Sequence, residues 1–251
     1  MNSKALLPVL VCCLLGFAVF PAAAQRTASL ALDGATISLL EGSAEVIKAG
    51  KAVRQPLKVS DALAQGDEVR TGPKARIELL LPDKSRIRFA EKSSFKVIQM
   101  EPGSPAKPRD VKLHLALGKA WSNVAQTVGV KGDFQMVTDR AVAGVRGTVY
   151  RMNVEEDRST LVRVYDGTVH VTGGGKGLEK PLPPGPPTRV SGPKPIPGPR
   201  KVTMEEWTVI IKAMQQVRIG SDGTPEKPRE FTEAEDRDAW VDWNQARDRK
   251  P

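Results

Sequence analysis

Apolar and polar positions alternate in short runs over most of this chain, with the two-residue period of strands buried on one face. In Ala75–Leu81, Ile77, Leu79 and Leu81 fall on one side and Arg76 and Glu78 on the other. Ile87 and Phe89 alternate with Arg86 and Arg88. Phe95 and Val97 form the inward pair of the next run, and Leu113, Leu115 and Leu117 alternate with Lys112, His114 and Ala116. Further strands are predicted at Ala35–Leu40, Ala44–Ile47, Asp67–Thr71 and Phe134–Val137, and Gly118 is expected to turn the chain into a separate strand, Lys119–Val124. No helical period separates these runs. The short spacing and frequent turn signals predict a mainly antiparallel β-sandwich or jelly-roll-like domain.

The stretch Thr138–Thr172 organises the rest. Small and β-branched residues, Ala141-Val142-Ala143-Gly144-Val145, lead into Arg146-Gly147-Thr148. Gly147 can take φ > 0 or sit in a bulge at little steric cost, and Thr148-Val149 restarts an extended run. Thr160, Val162 and Val164 then alternate with Leu161, Arg163 and Tyr165, and Asp166-Gly167 is the signal of a hairpin returning through Thr168–Thr172. Arg146 stands at a corner of small residues, where a charged group has to be held by carbonyls or a carboxylate. Asp139 and Asp166 are the nearest candidates in sequence, which gives Arg146, Gly147 and Thr148 a structural role.

The residues "TDRAVAGVRGTVYRMNV" and "VRVYDGTVHV" resemble the second half of the FecR domain, named after a bacterial ferric-citrate signalling regulator. "VRTGPKARIELLLPDKSRIRFAEKSSFKV" resembles its first half and "VKLHLALGKAWSNV" its middle, so the likeness runs from about Glu41 to about Val171. The family's first hairpin usually reads P-D-G-S. Here it is Pro82-Asp83-Lys84-Ser85, and a lysine at φ > 0 would be strained. The resemblance implies a periplasmic signalling or protein-interaction module. In the regulator that names the family, a cytoplasmic segment and a membrane helix precede that module and act on a sigma factor. This chain is expected to carry only the extracytoplasmic part.

Met1–Ala24 has the form of a signal peptide: Lys4 as the positive start, an apolar run, and Ala22-Ala23-Ala24 before a cleavage site at Gln25. The run is near the length that spans a bilayer, so a retained anchor is the alternative. Cleavage would remove both cysteines, Cys12 and Cys13, and with them any disulfide or thiolate chemistry. The β domain is then expected over 25–175 and a proline-rich linker over 176–200, extended and polyproline II-like. A helical tail is expected over 201–251. In that tail Thr203 with Glu206 and Thr232 with Glu235 have the form of capping boxes. Trp207, Ile210, Ile211, Met214 and Val217 make a stripe at helical spacing, and Trp240 and Trp243 belong to a second helix. Trp207, Trp240 and Trp243 either dock internally or meet a protein partner.

The net charge is +9, or +8 once Lys4 is lost, but acids and bases interleave along the chain. That pattern describes a solvated surface better than a nucleic-acid footprint, and leaves room only for weak attraction to polyanions or glycans. There is no nucleophile elbow, no phosphate loop and no metal-spaced cluster. His114 and His170, the only histidines, sit in alternating strands. The expectation is a non-catalytic module without cofactor or metal, exported, and bound to an envelope protein still to be identified. A carbohydrate- or cell-wall-binding sandwich is the second reading.

Overall fold

The computed structural model describes residues 34–101, 109–126, 132–173 and 207–249. The expected signal peptide and proline-rich linker lie outside the described residues. In chain order the strands are β1 (Ala35–Glu41), β2 (Ala44–Ile47), β3 (Arg54–Pro56), β4 (Ala62–Leu63), β5 (Glu68–Thr71), β6 (Arg76–Leu80), β7 (Arg86–Phe89), β8 (Ser94–Glu101), β9 (Arg109–Val124), β10 (Gly132–Val137), β11 (Ala141–Val145), β12 (Thr148–Val154), β13 (Thr160–Asp166), β14 (Thr168–Gly173), β15 (Thr208–Lys212), β16 (Gln215–Ile219) and β17 (Arg229–Glu230). A single helix among the described residues, α1 (Ala239–Asp248), follows them.

Hydrogen bonding joins all 17 strands in one mixed sheet. It has two limbs that share β9. The first limb runs β4, β1, β6, β7, β9, β12, β13, β16, β17. The second runs β3, β2, β5, β8, β9, β10, β11, β14, β15. Every pairing is antiparallel except β9 with β10. The first half of β9 pairs with β8 and β10, its second half with β7 and β12. The expected break at Gly118 is therefore a bend inside one 16-residue strand. Gly118 has φ +98°, and a Cβ there would lie 2.3 Å from Ser93 Oγ, so glycine is required where β9 passes between limbs.

The chain changes limb repeatedly, and these changes fall where the backbone adopts φ > 0: Gly42 between β1 and β2, Lys74 between β5 and β6, Lys92 between β7 and β8, Gly147 between β11 and β12, Gly167 between β13 and β14, and Met214 between β15 and β16. Asp166-Gly167 is thus a crossing and not the expected hairpin: β13 pairs with β12 and β16, and β14 with β11 and β15. Inward side chains from both limbs form one core that includes Ile77, Leu79, Phe89, Phe95, Leu113, Phe134, Met152 and Val171. Phe89 of the first limb stacks on Phe95 of the second, ring centroids 3.7 Å apart and 6° from parallel.

The expected first tail helix is corrected by the structure. From residue 207 onward, its stripe is strand. Val209 and Ile211 turn inward on β15, Val217 and Ile219 inward on β16. Thr208-Val209-Ile210-Ile211 is four β-branched residues in succession, which lose side-chain freedom in a helix and suit a pleated surface. The i, i+3, i+4 spacing arose because two strands of period two straddle a turn. Residues 207–249 also belong to the same compact unit as the preceding strands, so they extend the sheet and are not a helical appendage to it. The second expected helix is present. Thr232 and Glu235 do exchange the two capping hydrogen bonds, at 2.8 and 3.2 Å. The helix itself begins later, where Asp238 Oδ1 accepts from Val241 N–H at 2.7 Å.

Candidate functional site

The corner at Arg146–Thr148 carries the turn from β11 to β12. Gly147 has φ +60°, and a Cβ there would meet Gln126 Cβ at 2.7 Å. Thr148 is buried. Its Oγ1 lies 3.2 Å from Arg146 O and 3.1 Å from Thr168 O, so the hydroxyl ties this crossing to the one at Gly167. Arg146 is exposed. Of its two expected carboxylate partners, Asp139 is engaged by Arg158 and lies 3.0 Å from His114 Nε2.

A denser arrangement lies on the outward face of the first limb, under the segment 231–249. Arginines that alternate with core residues stand here in a row: Arg88 on β7, Arg151 on β12 and Arg163 on β13. Arg88 is fully buried, and a buried guanidinium is tolerated only with partners. Its Nε donates to Glu78 Oε2 at 2.6 Å and its Nη1 to Asp248 Oδ1 at 2.7 Å. Arg247 reaches back from α1 to Glu78 at 3.1 Å. Burial pushes the Glu78 carboxyl up, but hydrogen bonds from Arg247, Arg88 and Ser38 outweigh it and hold the group down at about 2. Asp236, also buried, takes Arg151, Arg163 and the Tyr165 hydroxyl together. Burial, and then donation to Asp236, push the Tyr165 phenol well above its ordinary range.

The aromatic residues of the segment are used in the same place. Trp240 is buried and stacks on Trp243 at 5.4 Å, and Trp243 lies beneath the guanidinium groups of Arg76 and Arg247 at 5.0 and 5.3 Å. Trp121 Nε1 donates to Asp248 Oδ2 at 2.9 Å. Trp207 is elsewhere: half-buried against the main core, with Nε1 donating to Gly223 O at 3.1 Å. The structure therefore brings Trp240 and Trp243 together and leaves Trp207 apart. Among the described residues no aromatic side chain is exposed. Sequence reasoning missed Arg88, Arg151, Arg163, Glu78 and Asp236. Their one sequence signal was arginine recurring on the outward side of three separate strands, matched by an acid-rich stretch around Asp236.

A cleft of about 660 Å³ opens beside the start of α1, lined by Lys74, Lys92, Lys119, Glu155, Glu156 and Trp240 among others. The outward face of the second limb has no such cover. Lys96, His170 and Ile210 stand exposed on it, and Ile210 belongs to the edge strand β15. Among the described residues no group of His, Cys, Asp and Glu is placed to hold a metal ion. No helix among them is long and apolar enough to cross a membrane.

No curated protein matches the sequence. Two solved structures of candidate anti-sigma factors from Parabacteroides distasonis are similar over part of their length. One has 19% identity and a TM-score of 0.46, covering 69% of this chain and 64% of its own. The other has 16% identity and a TM-score of 0.44, covering 65% and 59%. This chain therefore spans less than two thirds of either neighbour. The family model described as FecR protein matches residues 67–170, which run from β5 to β14 through both limbs. Over residues 67–170 the chain is thus similar to the FecR domain, in agreement with the resemblance carried by its sequence.

Proposed function

We propose that this chain is a non-catalytic signalling module that works outside the cytoplasm by binding another protein of the bacterial envelope. The match of the FecR family model to residues 67–170 is the observation that carries the reading. Inward side chains of the two limbs share a common core, and the second limb leaves an outward face with mixed charge and one exposed isoleucine on its edge strand. Such a face suits a protein partner, since specific interfaces need no excess of apolar surface over the rest of the protein. Export follows from the form of Met1–Ala24, with Gln25 as the first residue of the mature chain.

A photo-crosslinking residue placed at His170 or at Ile210 in the full chain, expressed in its own cell envelope, tests this reading. The expected result is one defined protein adduct from these positions and none from Asp242 on the exposed side of α1. Adducts spread without preference, or none from either limb, would overturn it. Mass spectrometry of the recovered chain should show Gln25 at its N-terminus. Retention of Met1–Ala24, or a lipid on Cys12 or Cys13, would overturn the export part.

A further inference from the structure

We infer that residues 231–249 form an acidic clasp over a cationic recognition face of the first limb, and that this face takes an acidic, tryptophan-bearing protein segment from a partner when the clasp is out. The covered part of the sheet presents Arg76, Arg88, Lys119, Arg151 and Arg163 around the buried carboxylate of Glu78, with Glu41 beside Arg76 at its margin. The clasp brings the opposite charge: Glu233, Glu235, Asp236, Asp238, Asp242 and Asp248 against three arginines. Between them run Arg88–Asp248 at 2.7 Å, Arg247–Glu78 at 3.1 Å, Lys119–Asp238 at 3.7 Å, and the shared contacts of Asp236 with Arg151 and Arg163. The apolar part of the seam is built on Ala90, Trp121, Trp240 and Val241, with Val149, Tyr165 and Trp243 packed against them and Phe231 edge-on to Tyr165. The clasp is thus held by charge together with aromatic packing, and the charged part of that hold is the part salt can weaken.

The fit is incomplete in a way that bears on what else could sit there. Arg88 Nη2, Arg151 Nε, Gln216 Nε2 and Trp240 Nε1 are buried at the seam with no hydrogen-bond partner among the protein groups. All four are donors, as is Arg151 Nη1; Asn153 Oδ1, on the same face of β12, is a buried acceptor in the same condition. A segment with more acceptors would satisfy the donors, and each buried donor left unmade costs about 1–3 kcal/mol. Once uncovered, the face would set five cations beside one another, so it favours a covered state with any acidic segment that reaches it. The occupant in place is a protein helix presenting a Trp pair, which is why a protein segment of that kind is assigned and not a nucleic acid.

The inference goes beyond the protein-binding reading by adding a second contact face, on the first limb, and its test uses only this chain. In native-state hydrogen exchange of the full chain, the amides of α1 should open at lower free energy than those of β9 and β12. Raising NaCl from about 50 to about 500 mM should increase α1 opening roughly tenfold while leaving β9 unchanged. The full chain carrying Asp248→Asn should bind a fluorescent peptide of residues 229–251 at least about tenfold more tightly than the wild type, with affinity falling in salt and no binding of a scrambled peptide. Exchange of α1 together with β9, or equal or absent peptide binding in a folded Asp248→Asn chain, would overturn the clasp. Displacement of the peptide by a DNA oligonucleotide more readily than by an unlabelled acidic peptide would overturn the protein assignment. A negative result in any of these leaves the envelope cross-linking at His170 and Ile210 free to succeed or fail separately.

Discussion

The two limbs of the sheet turn similar side chains inward and meet opposite fates outward. Leu79, Phe89 and Met152 of the first limb share a core with Phe95, Leu113 and Val171 of the second. On the other side, Arg88 of the first limb is sealed beneath α1, while Lys96 of the second stands in water. Both are cations one residue from a buried aromatic, so local pattern does not separate them. What differs is the cover. A charge in water interacts weakly with its neighbours, whereas a sealed charge makes stability depend on every partner that compensates it. The first limb's outward face is therefore expected to respond strongly to mutation and to pH, and the second's to respond little.

The sharpest test of that contrast is Arg88→Ala against Lys96→Ala. Removing Arg88 leaves Glu78 and Asp248 facing each other with one shared partner fewer, and loss of one member of a buried ion pair costs about 3–5 kcal/mol. Lys96→Ala should stay within about 0.5 kcal/mol. Urea unfolding of both variants reads the difference, and similar midpoints would dissolve the distinction between the limbs.

Acid should act on the first limb in the same way. Glu78 is held at about 2 in the folded protein against an ordinary 4.5. A depressed carboxyl contributes stability that is complete above the unfolded value and is lost as pH falls through 4.5 toward 2. At about 1.4 kcal/mol per pH unit the loss is of the order of 3 kcal/mol. Glu78→Gln, which cannot ionise, should start less stable at pH 7 and show a flatter decline between pH 5 and 2. A parallel decline would assign the acid sensitivity to other carboxylates.

The inward half of this architecture was legible in the sequence because burial on one face imposes a period of two, and Ile77, Leu79, Phe89, Phe95 and Leu113 obey it. The outward half was not, since a covering segment leaves only a faint mark on the strands it covers, here arginine recurring on the outward side of three of them. Arg88 reads as solvated until α1 is placed over it. Connections were legible only as turns. Asp166-Gly167 is chemically suited to a hairpin, yet it serves as a crossing because β13 and β14 find their partners in different limbs. The β15–β16 pair was hidden for a related reason: two short strands around a turn gave a spacing that imitates a helix, and only the run of β-branched residues at 208–211 spoke against it. Gly147 was legible as a corner from its place in a run of small residues, while the choice between a bulge and φ > 0 came from the structure, at φ +60°.

Gly147→Val asks whether the crossings join the limbs as firmly as the core does. The residue sits at φ +60° with Gln126 Cβ 2.7 Å from where a Cβ would fall. A β-branched residue would have to adopt a disfavoured backbone region and also displace that neighbour. A loss of roughly 2–3 kcal/mol is expected, seen as a melting temperature lower by several degrees. An unchanged melting temperature would show that the corner relaxes freely and that the two limbs are not held in place by it.

Lys84→Gly should have the smallest effect and the opposite sign. Lys84 lies in the hairpin between β6 and β7, the first limb's own turn, at φ +68°. Around it Lys84 N–H donates to Leu81 O at 2.9 Å, Leu81 N–H to Ser85 O at 2.9 Å, and Ser85 N–H to Asp83 Oδ1 at 2.9 Å. These bonds fix the backbone in the left-handed region whatever residue stands there, so lysine carries a steric cost that glycine does not. Glycine also adds freedom to the unfolded chain, which removes part of the gain. The balance is a stabilisation of about 0.5–1 kcal/mol, a rise of about 2–4 °C in melting temperature at most. Because β6 carries Glu78 and β7 carries Arg88, the same substitution in an Arg88→Ala background separates two ways in which the limb could hold together. Equal gains in both backgrounds would show that the hairpin is stable by its own bonds. A gain that vanishes without Arg88 would show that the turn is held in place by the charges sealed under α1.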